Sequence, residues 1–209
     1  MIEINNVTAG YEDSPGRAAL EGLSAVFPDR KLTVIIGPNG SGKSTLGRML
    51  AEKLGYVFID NEELYFPKED PAYEYTGPRS KQEVIRLLEE KIQENRCFVF
   101  AAVRGDYGDV FLSALDFAVA IDVPKEVRLQ RVYGRSLRKF GSRMQEGGDL
   151  YERETEFFDV VKARPDDYVT AWLSQLACPV MHIDGTRPPE ENLAHLLSEL
   201  SREDGIQQG

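Results

Sequence analysis

The sequence is poor in the residues that usually hold metals or staples: 209 residues contain two cysteines and two histidines. Cys97 and Cys178 stand far apart beside apolar residues, with neither zinc-ligand spacing nor the density of a disulfide framework. Both are expected to be buried thiols of a reducing compartment. His182 and His195 have no partners at ligand spacing and are expected to be structural. Long apolar runs are missing too. No stretch approaches the roughly 20 residues that cross a bilayer, and residues 1–6 lack a charged segment followed by an apolar one. A cytoplasmic chain without a membrane partner is therefore expected. Positive charge is scarce: 25 Lys and Arg against 35 Asp and Glu give a net charge of −10. That balance argues against nucleic acid as a partner, because a phosphate backbone would be repelled. Internal repeats and low-complexity segments are absent. A hydrophobic content of 42% still allows a sizeable core, and the length fits one domain over residues 1–209.

What the chain does contain is concentrated at residues 32–46. The β-branched run Thr33 to Ile36 predicts a buried parallel strand. It breaks at Gly37, and Gly37-Pro38-Asn39-Gly40-Ser41-Gly42-Lys43-Ser44 spells G-x-x-x-x-G-K-S, a phosphate-binding loop. Gly37, Gly40 and Gly42 permit backbone angles that turn successive N–H groups toward a phosphate. Lys43 supplies a positive charge to the β and γ phosphates, and the Ser44 hydroxyl is placed for Mg²⁺. A helix from Lys43 through Thr45 onward aims its positive dipole end at the same anion. The partners expected from these residues are a nucleoside triphosphate, taken as ATP with GTP left open, and Mg²⁺.

The rest of the chain alternates strands and helices. Tyr56 to Ile59, Cys97 to Val103, Phe117 to Val123 and Pro179 to Ile183 predict further strands. Helices are predicted over residues 81–95, 150–161, 168–176 and 190–200, with a polar tail over 201–209. The strand ending in Asp60 lies one helix beyond Lys43, so a strand-helix-strand unit brings that carboxylate to the phosphate loop. Asp60 is either a base or metal ligand there, or a cap for the short helix after it. Arg104 and Asp106 follow the third strand, where open parallel sheets bind ligands; a turn that needs glycine and aspartate is the rival reading. Arg128, Arg131, Arg135, Arg138, Lys139 and Arg143 fall in a stretch without acids, a local inversion of sign.

Two family resemblances attach to these motifs. The opening, with Tyr11, Ala-Leu-Glu-Gly-Leu-Ser and Gly-Pro-Asn-Gly-Ser-Gly-Lys-Ser-Thr-Leu, resembles the ATP-binding cassette ATPases. That resemblance implies Tyr11 against the adenine ring. It stops near the first quarter, since no Leu-Ser-Gly-Gly-Gln signature and no strand-end Asp-Glu pair appear. From residue 55 the chain resembles shikimate, nucleoside and adenylate-kinase-like enzymes, and as a P-loop protein it is similar to AAA family ATPases. This likeness implies Asp60 at the acceptor hydroxyl or its magnesium. It also implies an acceptor-binding insert over 61–80, with Arg79 as a contact. Leu-Gln-Arg-Val-Tyr-Gly-Arg implies a lid over 128–148 whose Arg131 and Arg135 close on the phosphates; a basic helix face is the plainer alternative. The resulting expectation is an α/β P-loop three-layer sandwich. It has a five-stranded parallel sheet, a small antiparallel extension over 1–31 and a helical lid. Its expected activity is ATP-dependent phosphoryl transfer to a small acceptor, or else a cassette-like nucleotide switch.

Overall fold

Short continuous apolar runs and period-3.6 apolar patterns sort the chain into a sheet with helices on both faces. In this computed structural model the described residues are 2–10, 18–27 and 31–206. Tyr11, the loop at 12–17 and the turn at Pro28-Asp29 lie outside them. Strands β1 (Ile2–Gly10) and β2 (Ala18–Phe27) pair antiparallel, with register irregularities after Ile4 and Val7. β3 (Lys31–Ile36) belongs to a second sheet, joined by β4 (Val57–Asp60), β5 (Cys97–Ala102), β6 (Phe117–Asp122) and β7 (Val180–Asp184). Its order is β4-β5-β3-β6-β7, and every pairing is parallel. β3 is central and flanked by β5 and β6, which is why Leu32 to Ile36 are all buried and uniformly apolar or β-branched.

Alternate residues of this sheet feed two cores. Val34, Ile36, Phe98, Phe100 and Ala120 face one way, onto Val84, Leu88 and Ile92 of α3 (Lys81–Glu94) and Phe111 of α4 (Asp109–Ala114). Ile35, Val99, Val119 and Ile121 face the other, onto Leu46 and Leu50 of α1 (Lys43–Leu54) and Leu196 and Leu200 of α8 (Pro189–Ile206). Each fully buried Leu, Ile or Phe contributes about 1.5–3 kcal/mol. Local chemistry sets the helix ends. Ser80 and Glu83 form a reciprocal capping box at α3. Gly55 closes α1 at φ 67, a left-handed angle suited to glycine. Pro189 occupies the first turn of α8.

α2 (Asn61–Tyr65), α5 (Lys125–Phe140), α6 (Tyr151–Ala163) and α7 (Thr170–Leu173) complete the fold. A third, small core joins Tyr73 to Phe140, Met144 and Leu150. Two boundaries differ from the sequence expectation. The helix expected over 168–176 is a 3₁₀ turn at Asp166–Tyr168 and one turn of α7, because burial of Val169, Trp172 and Leu173 anchors the segment in place of helical length. The expected polar tail is helical to Ile206, its Glu and Arg residues being good helix formers. Among the described residues no helix is long and apolar enough to cross a membrane.

Candidate functional site

The loop from β3 to α1 is shaped by contacts that leave glycine little choice. Gly37 N–H donates to the Ala102 carbonyl at 3.3 Å, which ties the loop to β5. At Gly40 φ is +84, and a Cβ would run into the Arg128 carbonyl oxygen of α5. Gly42 is the N-cap of α1 and offers no side-chain cap. The first-turn N–H groups of α1 have no acceptor within the helix, so that end presents donors to an anion. The Ser41 hydroxyl is buried and has no partner among the described residues. Lys43 is half-buried; burial lowers its pKa, and the nearby Asp60 and Glu62 carboxylates act to raise it.

Two chambers meet at this loop. The first, about 400 Å³, lies between the loop and Arg131, Arg138, Gly185 and Arg187. The second, about 510 Å³, is lined by Asp60, by aromatic side chains of the segment after α2, and by Arg104 and Arg164. Lys43, Ser44 and Arg135 line both. A group transferred between occupants of the two would pass these three side chains.

The structure sorts the sequence candidates between the chambers. Gly40, Ser41, Gly42 and Thr45 line the first, and Asn39 lines the second. Asp60 sits at the end of β4, 7% exposed, and its Oδ1 accepts from Glu62 N–H at 3.0 Å. It thus caps α2 and also faces Lys43 and Ser44 across the second chamber. Arg131 is drawn to the first chamber, its Nη1 donating to the Gly185 carbonyl at 2.8 Å. Arg135 spans both chambers and stands 3.9 Å from Glu62. Arg138 also lines the first chamber, and the other basic residues of the cluster have different tasks. Arg128 is buried with Nε on the Val123 carbonyl at 3.0 Å, and Arg143 pairs with Asp149 at 2.6 Å. Arg79 donates to the Leu64 carbonyl at 2.8 Å, fastening the segment after α2 to that helix.

That segment is bound to the end of α5. Lys139 pairs with Glu74 and lies over the Tyr75 ring at 4.5 Å. Arg143 donates to the Ala72 carbonyl at 2.9 Å. The Tyr73 hydroxyl donates to Glu154 Oε1 at 2.8 Å, and burial with this bond pushes the phenol pKa up. Glu154 is only 1% exposed, and its second oxygen has no hydrogen-bond partner among the described residues.

Beyond β5, Asp106 accepts from Lys81 at 2.8 Å and lies 3.6 Å from Arg104. Burial alone would raise its pKa, but the Lys81 hydrogen bond and the Arg104 charge hold it below the ordinary range. Arg104 stacks over Tyr168 at 4.3 Å. Arg164 stacks on the same ring at 5.5 Å and reaches Asn39 Oδ1 at 3.4 Å. Neither Arg164 nor Tyr168 stood out in the sequence. Arg164 and Tyr168 are four apart, but their contacts to Asn39 and Arg104 bridge up to 125 positions, which no local spacing could signal. His182 pairs with Asp122 at 2.8 Å on the surface. Among the described residues no group of three or more His, Cys, Asp or Glu could hold a metal alone.

Comparison with known proteins adds to this geometry. The family model described as AAA domain matches residues 34–158. The chain is 26% identical over 175 residues to the uncharacterized protein YqaC of Bacillus subtilis (strain 168), covering 80% of this chain and 96% of that one. It is 34% identical over 125 residues to the energy-coupling factor transporter ATP-binding protein EcfA of Carboxydothermus hydrogenoformans, and there spans only 44% of each chain. Its fold is similar to a gluconokinase from Sinorhizobium meliloti 1021, with TM-score 0.51 and 18% identity, covering 87% of this chain and 99% of that one.

Proposed function

For a chain that belongs to the AAA domain family of P-loop NTPases, we propose ATP-dependent phosphoryl transfer to a small-molecule acceptor. The observation that carries the reading is the pair of chambers sharing Lys43, Ser44 and Arg135, with Asp60 beside them in the second. ATP would lie in the first chamber, with its phosphates along the loop N–H groups and Lys43. The open space beside Gly42 and the uncapped start of α1 fit such an anion. The hydroxyl of Ser44 and the carboxylate of Asp60 are hard oxygen donors suited to Mg²⁺, which when bound neutralises phosphate charge.

The chain's own groups divide the remaining work. Asp60 accepts the proton of the acceptor hydroxyl as that oxygen attacks the γ-phosphorus. Lys43 and Arg135 hold the equatorial oxygens of the transferring group, whose charge spreads in the transition state. Arg131, bonded to Gly185 and next to Gly40, steadies the nucleotide chamber. α5 and the segment at 66–80 act together as a cover that excludes water from the reacting atoms.

The test is acceptor-dependent ADP release. With Mg²⁺ and ATP, a metabolite mixture is expected to stimulate ADP formation, and Lys43→Met to abolish it. ATP consumption that ignores every small molecule and rises with an added protein would refute the assignment. That outcome would favour a nucleotide switch, a reading supported by the partial similarity to a transporter ATP-binding protein.

A further inference from the structure

The second chamber offers an occupant more than a carboxylate. Seven aromatic side chains line it. Those before α3 form a continuous chain of ring contacts: Tyr65 to Phe66 at 5.8 Å, Phe66 to Tyr75 at 5.4 Å, and Tyr75 to Tyr73 at 5.5 Å. Tilted and edge-to-face packing fixes these rings, and the Lys139 and Glu154 contacts fix them further. A wall of this kind presents rigid flat surfaces at small entropic cost. It suits a planar ring, whereas a polyol would need many directed hydrogen bonds.

Cations occupy the same chamber. Lys43 and Arg135 belong to the shared wall, Asp60 faces the reacting group, and Glu62 is near Arg135. What remains is Lys81, Arg104 and Arg164 against Asp106 alone, an excess of two positive charges in a chain of net charge −10. Arg104 and Arg164 both stack on one ring, Tyr168, at 4.3 and 5.5 Å from its centroid. Each guanidinium presents a planar fork of donors matched to phosphate oxygens. A phosphate monoester carries about −1.5 to −2 at neutral pH, which balances the excess.

We propose that the acceptor is a flat heteroaromatic ring joined to an anionic phosphate, the chemistry of a nucleoside monophosphate. The ring lies on the tyrosine and phenylalanine wall, and the phosphate monoester sits at Arg104 and Arg164. This inference rests on the second chamber being the acceptor site. The reaction it implies moves the γ-phosphoryl group of ATP onto a hydroxyl oxygen of the acceptor: that O–P bond forms, the γ-phosphorus to bridging-oxygen bond breaks, ADP leaves, and the hydroxyl proton goes to Asp60.

The experiment is ADP release from Mg²⁺-ATP with three acceptor panels: nucleoside monophosphates, the matching nucleosides, and anionic polyols such as gluconate. Monophosphates are expected to stimulate most. Arg104→Gln is expected to raise the KM for the monophosphate at least tenfold and to change the KM for the nucleoside less than twofold. Arg104→Lys should recover part of the loss, and Tyr75→Leu should raise the KM for both ring-bearing acceptors. Thermal unfolding of each variant separates these effects from misfolding. Stimulation by gluconate with no ring-bearing acceptor active would overturn the inference while leaving phosphoryl transfer intact. Equal use of nucleoside and monophosphate, with Arg104→Gln silent, would remove the anion site. No stimulation by any panel would sink the inference together with the transfer reaction.

Discussion

Asp60 carries two tasks in one side chain, and a pair of substitutions separates them. Its Oδ1 accepts the Glu62 N–H at 3.0 Å and caps α2, while the carboxylate faces Lys43 and Ser44. Asparagine keeps an acceptor oxygen for the cap but loses the charge and the basicity; alanine loses both. An N-cap of this kind is worth about 1 kcal/mol, and 1 kcal/mol moves the unfolding midpoint of a chain this size by about 2–4 °C. Asp60→Ala is therefore expected to lower Tm by about that amount, and Asp60→Asn to leave it nearly unchanged. Activity should respond differently, because loss of a positioned base costs about 10²–10⁴ in rate, and Asp60→Asn loses it as fully as Asp60→Ala. Differential scanning fluorimetry and steady-state ADP release on both variants give the comparison. Asp60→Asn retaining turnover within threefold of wild type would refute the catalytic role and leave only the cap. The same substitution unfolding as early as Asp60→Ala would refute the cap.

Three further outcomes are expected. Gly40→Ala drives a methyl group into the Arg128 carbonyl at φ +84, so ATP affinity measured by calorimetry should fall at least tenfold, about 1.4 kcal/mol. Tyr73→Phe leaves the buried Glu154 Oε1 without its donor; a hydrogen bond to a charged group is worth about 1.5–3 kcal/mol, and Glu154→Leu in the same chain should restore much of the loss in urea unfolding. Burial lowers the Lys43 pKa, so between that lowered value and its ordinary one the unfolded chain holds a proton that the folded chain has lost. Fold stability from this group therefore rises with pH across the window, whereas ATP affinity, which needs the ammonium form, falls as pH passes the lowered pKa. A Kd series at alkaline pH should show that decline in the wild type and not in Lys43→Met.

How far the chain can be read without its fold depends on how local each feature is. The phosphate loop, the central strand before it, the capping box at Ser80 and Glu83 and the period-two cores are written in adjacent residues. Backbone angles, β-branching and hydrogen bonds within a few positions specify them. The sequence thereby determined a parallel sheet of five strands and the position of the P-loop at its carboxyl edge, while the strand order that puts β3 at the centre came from the fold. Tertiary structure alone decided the division of the arginines. Arg131 and Arg135 are four apart and share one helix face, so periodicity treats them alike. The Gly185 carbonyl draws one of them into the first chamber, while the other reaches both. The same holds for Arg104 on Tyr168, and for Glu154 at the Tyr73 hydroxyl. Charges and rings far apart in sequence acquire a partner only when packing has removed the water between them, and no spacing along the chain records which partner that is.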